Sequence, residues 1–158
     1  MAIAPEQAVE CIRARYEEAH VDRCEEQGCR LVLDDIGRHC VLKGEKLGTT
    51  GKVCDCLVFT AHGAGCLLAA VELKSKTVDA KDVREQLANG AALALSIAKE
   101  TEAPNPWLLL LVLSERIQPS EFRTLTSKPV MVNGQKRFVR RERCGKHLKD
   151  ILKAALAL

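Results

Sequence analysis

Two apolar runs joined by a glycine-bearing link constrain this chain more than any other stretch. Val53-Cys54-Asp55-Cys56-Leu57-Val58-Phe59 and Cys66-Leu67-Leu68-Ala69-Ala70-Val71 both have strand length, and Thr60-Ala61-His62-Gly63-Ala64-Gly65 supplies the turn between them. The runs therefore pair as a hairpin. Glu72-Leu73-Lys74 ends the second run, so the pairing brings Asp55 beside Glu72. Side chains two apart on a strand share a face, so Glu72 and Lys74 project together while Val71 and Leu73 face the opposite layer.

Two carboxylates at the end of a buried strand pair repel each other unless a cation sits between them. Carboxylate and water oxygens suit Mg2+ or Mn2+, and Mg2+ commonly uses one or two protein carboxylates while keeping several waters. Lys74 then has a role beside that cation: to hold or deprotonate an attacking water, or to offset charge on a scissile phosphate. A Glu-x-Lys pair on its own is usually a solvated strand edge. Here six consecutive apolar residues precede Glu72, which argues for burial and for function.

The rest of the chain has a definite order. Residues 5 to about 27 read as a helix, with Pro5 early and Val9, Ile12, Tyr16 and Ala19 at three- and four-residue spacing, ended by Gly28. Cys29–Ile36 and His39–Lys43 read as a first strand and its continuation or return, separated by Gly37, and 44–51 as a loop leading to the Asp55 strand. A long helix is expected from about Asp79 to Lys99, with Val83, Leu87, Ala91, Leu95 and Ala98 on one face. Pro104 and Pro106 stop it, and Trp107–Leu113 suits a central buried strand. Farther on, 130–139 reads as a hairpin turning at Asn133-Gly134, and Lys146–Leu158 as a closing amphipathic helix.

Asp55, sixteen intervening residues and then Glu72-Leu73-Lys74, on consecutive strands after a first helix, resembles the PD-(D/E)XK nuclease superfamily. Cys54 stands where that motif often has proline. The resemblance implies an α/β fold with a restriction-endonuclease-like core, a mixed β-sheet flanked by helices in the order α-β-β-β-α-β. A carboxy-terminal hairpin and helix would follow, giving one domain over 1–158 with its core at about 5–115 and a basic extension at about 116–158. It also implies a nuclease dependent on Mg2+ or Mn2+, more readily on DNA than RNA, with Asp55, Glu72 and the Leu73 carbonyl as metal ligands and Lys74 catalytic. Some exonuclease-like branches place a glutamine where Gln86 stands, followed by a tyrosine where this chain has Gly90. Other branches add a first-helix glutamate, for which Glu6, Glu10, Glu17 and Glu18 are equally available. Small domains of this kind often work as dimers or within larger assemblies.

Charge points the same way. The chain has a formal net charge of +3, yet between Ser114 and Lys149 ten Lys or Arg face three Glu. Arg137, Arg140, Arg141 and Arg143 lie close together in this segment and are candidates for phosphate contacts. Aromatic residues make up only 3%, which argues against stacking platforms for single strands. No run reaches the roughly 18 apolar residues of a membrane span, so no membrane partner and a cytoplasmic location are expected. Of eight cysteines, most are expected to be buried and reduced, with Cys54 and Cys56 on the strand face opposite Asp55. Two other readings stay open: an inactive PD-(D/E)XK-like binding or regulatory module in a defence or repair complex, and a zinc-binding adaptor drawing on Cys24, Cys29, Cys40 and His39.

Overall fold

The computed structural model describes residues 3–49 and 51–156. Thr50 of the expected 44–51 loop and the last two residues of the expected closing helix lie outside them. A six-stranded mixed sheet is flanked by helices. The first helix, α1 (Pro5–Arg15), is followed by a 3-10 turn and a two-residue strand, β1 (His20–Val21). A small separate hairpin comes next, β2 (Cys24–Glu26) and β3 (Cys29–Leu31). Then β4 (His39–Lys43), β5 (Cys56–His62) and β6 (Gly65–Lys74) form an antiparallel meander. The long α2 (Ala80–Glu100) crosses back so that β7 (Trp107–Ser114) joins β6 in parallel.

The basic extension holds more structure than expected. It contains α3 (Pro119–Thr126), the hairpin β8 (Val130–Val132) and β9 (Gln135–Arg137), then β10 (Val139–Glu142) and α4 (Leu148–Ala155). Asn133 and Gly134 both take positive φ at the hairpin tip, 46° and 82°, which is the backbone an Asn-Gly turn provides. Beyond the hairpin, β10 returns to the main sheet parallel to β7, so the full order is β1-β4-β5-β6-β7-β10.

Strand alternation sorts the core into two layers. Leu57, Phe59, Leu68, Ala70, Leu108 and Leu110 face α1 and α2, where Val9, Ile12, Val83, Leu87 and Ala94 meet them. Val58, Leu67, Val71, Leu73, Leu109 and Leu111 face the other way, toward Cys24, Cys29 and Leu31 of the small hairpin and Leu148 and Ile151 of α4. The hairpin is also joined to the chain before α4 by Val32 N donating to Lys146 O at 3.0 Å and Leu148 N donating to Val32 O at 2.8 Å.

Three expectations need correction. The first helix stops at Arg15 rather than near 27, because the residues after Ala19 pair with other strands: His20 and Val21 align with Leu42 and Val41. Sheet pairing outweighs local helical spacing there. Cys29–Leu31 belongs to the small hairpin, so His39–Lys43 alone supplies the first meander strand. And the cysteines are not mostly reduced: Cys24 is disulfide-bonded to Cys56 and Cys29 to Cys144, leaving Cys11, Cys40, Cys54 and Cys66 free.

Candidate functional site

The residue before a strand is aimed by whatever grips its backbone, and Asp55 is gripped from two sides. β5 begins only at Cys56. Ahead of it, the Asp55 carbonyl accepts from Gly44 N at 2.9 Å, at the end of β4, and Cys54 N donates to the Gln86 carbonyl of α2 at 3.1 Å. This break in the strand sends Cys54 into the helical layer and Cys56 into the hairpin layer, so the two do not share a face as expected. Gly90 is where α2 lies against Cys54. A Cβ there would collide with the Cys54 sulfur, which is a packing reason for glycine at this position.

Asp55 and Glu72 are each held by a backbone N–H from the opposite segment. Asp55 N donates to Glu72 Oε1 at 3.0 Å, and Asp55 Oδ2 accepts from Leu73 N at 2.7 Å. Glu72 is 1% exposed. Its Oε2 lies 3.1 Å from Lys74 Nζ, whose side chain is 32% exposed, so the ammonium reaches from a buried carboxylate toward solvent. Burial pushes the Glu72 carboxyl up to about 7, and the nearby Asp55 charge adds to the rise. Asp55 is also raised, chiefly by burial, with the Leu73 N–H working against it. Asp55, Glu72 and Lys74 therefore converge as the sequence spacing implies.

Asp55 and Lys74 open onto a cavity of about 510 Å3 at this end of the sheet. Lys43, Lys52 and Lys76 also line it, together with Glu26 and Glu45. The sequence reading did not single these residues out. Lys43 ends a recognisable strand and Lys76 follows Lys74 by two, so the sequence carries a local signal for both; Glu26 falls inside the segment whose spacing imitates a longer first helix. Lys43 Nζ lies 2.8 Å from Glu26 and 3.8 Å from Glu45, and its pKa is raised first by the hydrogen bond to Glu26. The first-helix candidates lie elsewhere: none of Glu6, Glu10, Glu17 and Glu18 lines the cavity, and Glu10 pairs with Arg38 at 3.1 Å.

Gln86 sits in the first half of α2, and its buried Oε1 has no hydrogen-bond partner. The four arginines do not gather on one surface. Arg137 donates to Leu108 O at 3.1 Å and stacks over Trp107, at the start of β7. Arg141 donates to Ser114 Oγ and O at 2.9 and 2.8 Å, at its far end, roughly 20 Å away at strand rise. Arg140 pairs with Glu142 at 3.0 Å. Arg141 thereby reaches Ser114, the cross-strand neighbour of Lys74.

Among the described residues no group of three or more His, Cys, Asp or Glu side chains is arranged to hold a metal ion. Cys24 and Cys29 are disulfide-bonded on one face of the sheet and Cys40 is on the other, so they do not converge. Among the same residues no helix is long and apolar enough to cross a membrane. No family model, curated protein or solved structure matches the chain.

Proposed function

We propose that this chain is a divalent-metal-dependent nuclease, hydrolysing phosphodiester bonds in DNA, built on a restriction-endonuclease-like core. The observation that carries the reading is the convergence of Asp55, buried Glu72 and Lys74 at one end of the central strand pair. The element order supports it: α1, the antiparallel meander β4-β5-β6, α2 and parallel β7 follow the helix, three strands, helix and strand of the PD-(D/E)XK pattern.

The donor set fits a small hard cation. Two carboxylates with raised proton affinity stand where a positive charge would lower the cost of ionising both, and the Leu73 carbonyl and water would complete an oxygen shell for Mg2+ or Mn2+. When bound, such an ion supplies charge at a phosphoryl oxygen and acidifies a water. The protein's own groups do the rest. Backbone N–H groups fix one oxygen of each carboxylate: Asp55 N holds Glu72 Oε1 and Leu73 N holds Asp55 Oδ2. Lys74 stabilises Glu72 as the anion and presents its ammonium to the water or the phosphate. Lys43, Lys52 and Lys76 draw the phosphate chain toward the cavity, and Arg141, two strands from Lys74 across β7, bonds the Ser114 that neighbours Lys74.

One observation favours a second reading. The Lys74 ammonium at 3.1 Å already neutralises Glu72, which suits a DNA-binding module without catalysis. Cleavage assays separate the two. Asp55→Ala and Glu72→Ala should each abolish Mg2+- or Mn2+-dependent cleavage with circular dichroism unchanged, and Lys74→Ala should lose about 100-fold or more in rate while calorimetry finds Mn2+ affinity little altered. Full activity in either carboxylate variant would overturn the assignment. Duplex binding by a wild type that never cleaves would favour the module.

A further inference from the structure

Both disulfides fasten the same small hairpin, and both fasten it beside the carboxylates. Cys24 on β2 is bonded to Cys56, the residue after Asp55; Cys29 on β3 is bonded to Cys144, whose sulfur lies 3.9 Å from the Lys74 carbonyl oxygen. Between the two anchors the hairpin turn brings Glu26 and Gln27 into the cavity wall. Glu26 accepts from Lys43 Nζ at 2.8 Å, and Lys43 in turn sits opposite Cys56 in the sheet, one residue from the Gly44 N–H that holds the Asp55 carbonyl. An unbroken line of contacts thus runs from the hairpin through Lys43 to the backbone of Asp55.

Resting on the nuclease reading, we propose that Glu26 is a positioning residue of this site: carried on a hairpin fastened by both disulfides, it holds the Lys43 ammonium at the cavity for the substrate phosphate, and dithiol reduction releases that hold. Among the described residues Lys43 pairs directly with two carboxylates, and Glu45 at 3.8 Å is the weaker, so loss of Glu26 removes the shorter of its two ion pairs and loosens the long side chain. Opening each disulfide takes two electrons and two protons from a dithiol such as dithiothreitol. The S–S bond breaks, both cysteine sulfurs become thiols, and the dithiol closes to its own disulfide.

The test begins with oxidised protein and a labelled DNA duplex. Glu26→Gln should lower kcat about tenfold while KM stays level or falls, since removing an acid from a phosphate-binding mouth favours duplex binding. In a Lys43→Gln background the same change should add nothing. Undiminished kcat, or a full additional loss in that background, would overturn the proposal. A second readout does not need activity: acetylation of Lys43 by an N-hydroxysuccinimide ester, followed by mass spectrometry. Labelling should be slow in the oxidised wild type and about fivefold faster both in Glu26→Gln and after dithiol reduction, with exposed Lys149 as an unchanged reference. Should reduction unfold the chain, circular dichroism will reveal it and Glu26→Gln alone decides. Equal Lys43 labelling in wild type and Glu26→Gln would overturn the hold of Glu26 on Lys43. A wild type that cleaves nothing, with Lys43 labelling as expected, would count against the nuclease reading and leave that hold standing.

Discussion

The two faces of the sheet use the same residue type in opposite ways. On the helical face Cys40, Cys54 and Cys66 are buried, unpaired thiols packed among leucine, alanine and valine side chains. Burial pushes Cys40 up to about 12 and Cys66 up to about 11, so they act as small apolar side chains with little thiolate at neutral pH. On the hairpin face Cys24, Cys29 and Cys56 are buried as well, yet each is covalently paired. The difference follows from the covering elements. α2 is 21 residues long and lays a continuous apolar stripe over the sheet, whereas β2 and β3 have three residues each. An element that short buries too little surface to stay docked by packing alone, and a two-stranded hairpin by itself is marginal. Long elements are packed onto this sheet; the short one is fastened.

Breaking the packed face should cost most. Leu87 is a fully buried residue of α2 facing the sheet, so Leu87→Ala should destabilise the fold by about 2–5 kcal/mol in chemical denaturation, through lost transfer energy and a cavity. Breaking the fastened face should cost somewhat less: Cys29→Ser with Cys144→Ser should remove about 2–4 kcal/mol, with hydrogen exchange rising first in residues 24–31. If exchange in α2 rises as much as in the hairpin, the two faces are not separately held. Gly90→Ala tests the seam between α2 and the Asp55 segment. The added methyl meets the Cys54 sulfur, and a loss of about 1–3 kcal/mol is expected, with Mn2+ affinity falling alongside stability.

The last test varies pH rather than sequence. In the fold Glu72 keeps its proton up to about 7, whereas unfolded it releases it near its ordinary 4.5. Across that window the unfolded chain binds fewer protons than the folded one, so stability should fall as pH rises from 4.5 to about 7 and then level off. Asp55, raised as well, contributes with the same sign. Thermal melts of Glu72→Gln should show a flatter dependence, and saturating Mn2+ should restore the wild type above the window. A wild-type Tm that climbs through it would show that Glu72 is ionised in the fold.

What the sequence made legible follows from how local each signal is. The β5–β6 hairpin, α2 and β7 each rest on an unbroken apolar pattern with glycine or proline at the borders, and Asp55, Glu72 and Lys74 inherit their placement from that hairpin. Residues 20–31 lack such a pattern: Val21 and Cys24 could continue the stripe of α1, and only pairing with β4 and the bond to Cys56 makes the segment extended. The same holds for β10, whose four residues Val139–Glu142 carry two arginines and join the sheet through β7. Glu26 became visible only once its hairpin did. Arginines close in sequence lie apart in space because successive strand residues point to opposite faces and Arg137 belongs to a different strand from Arg140 and Arg141.

The two fastenings are very unequal in reach along the chain: 32 residues separate Cys24 from Cys56, and 115 separate Cys29 from Cys144. During synthesis Cys24 meets its partner early, but Cys29 must wait on the order of ten seconds for the ribosome to deliver Cys144. Through that interval the nascent chain carries Cys29 together with Cys40, Cys54 and Cys66, all of them wrong partners. A translation machinery working in reducing surroundings, with oxidation deferred until the chain is complete, avoids that competition. A host that oxidises the chain as it emerges invites scrambled product. Yield of correctly paired protein should therefore depend more on when oxidant meets the chain than on how much oxidant there is.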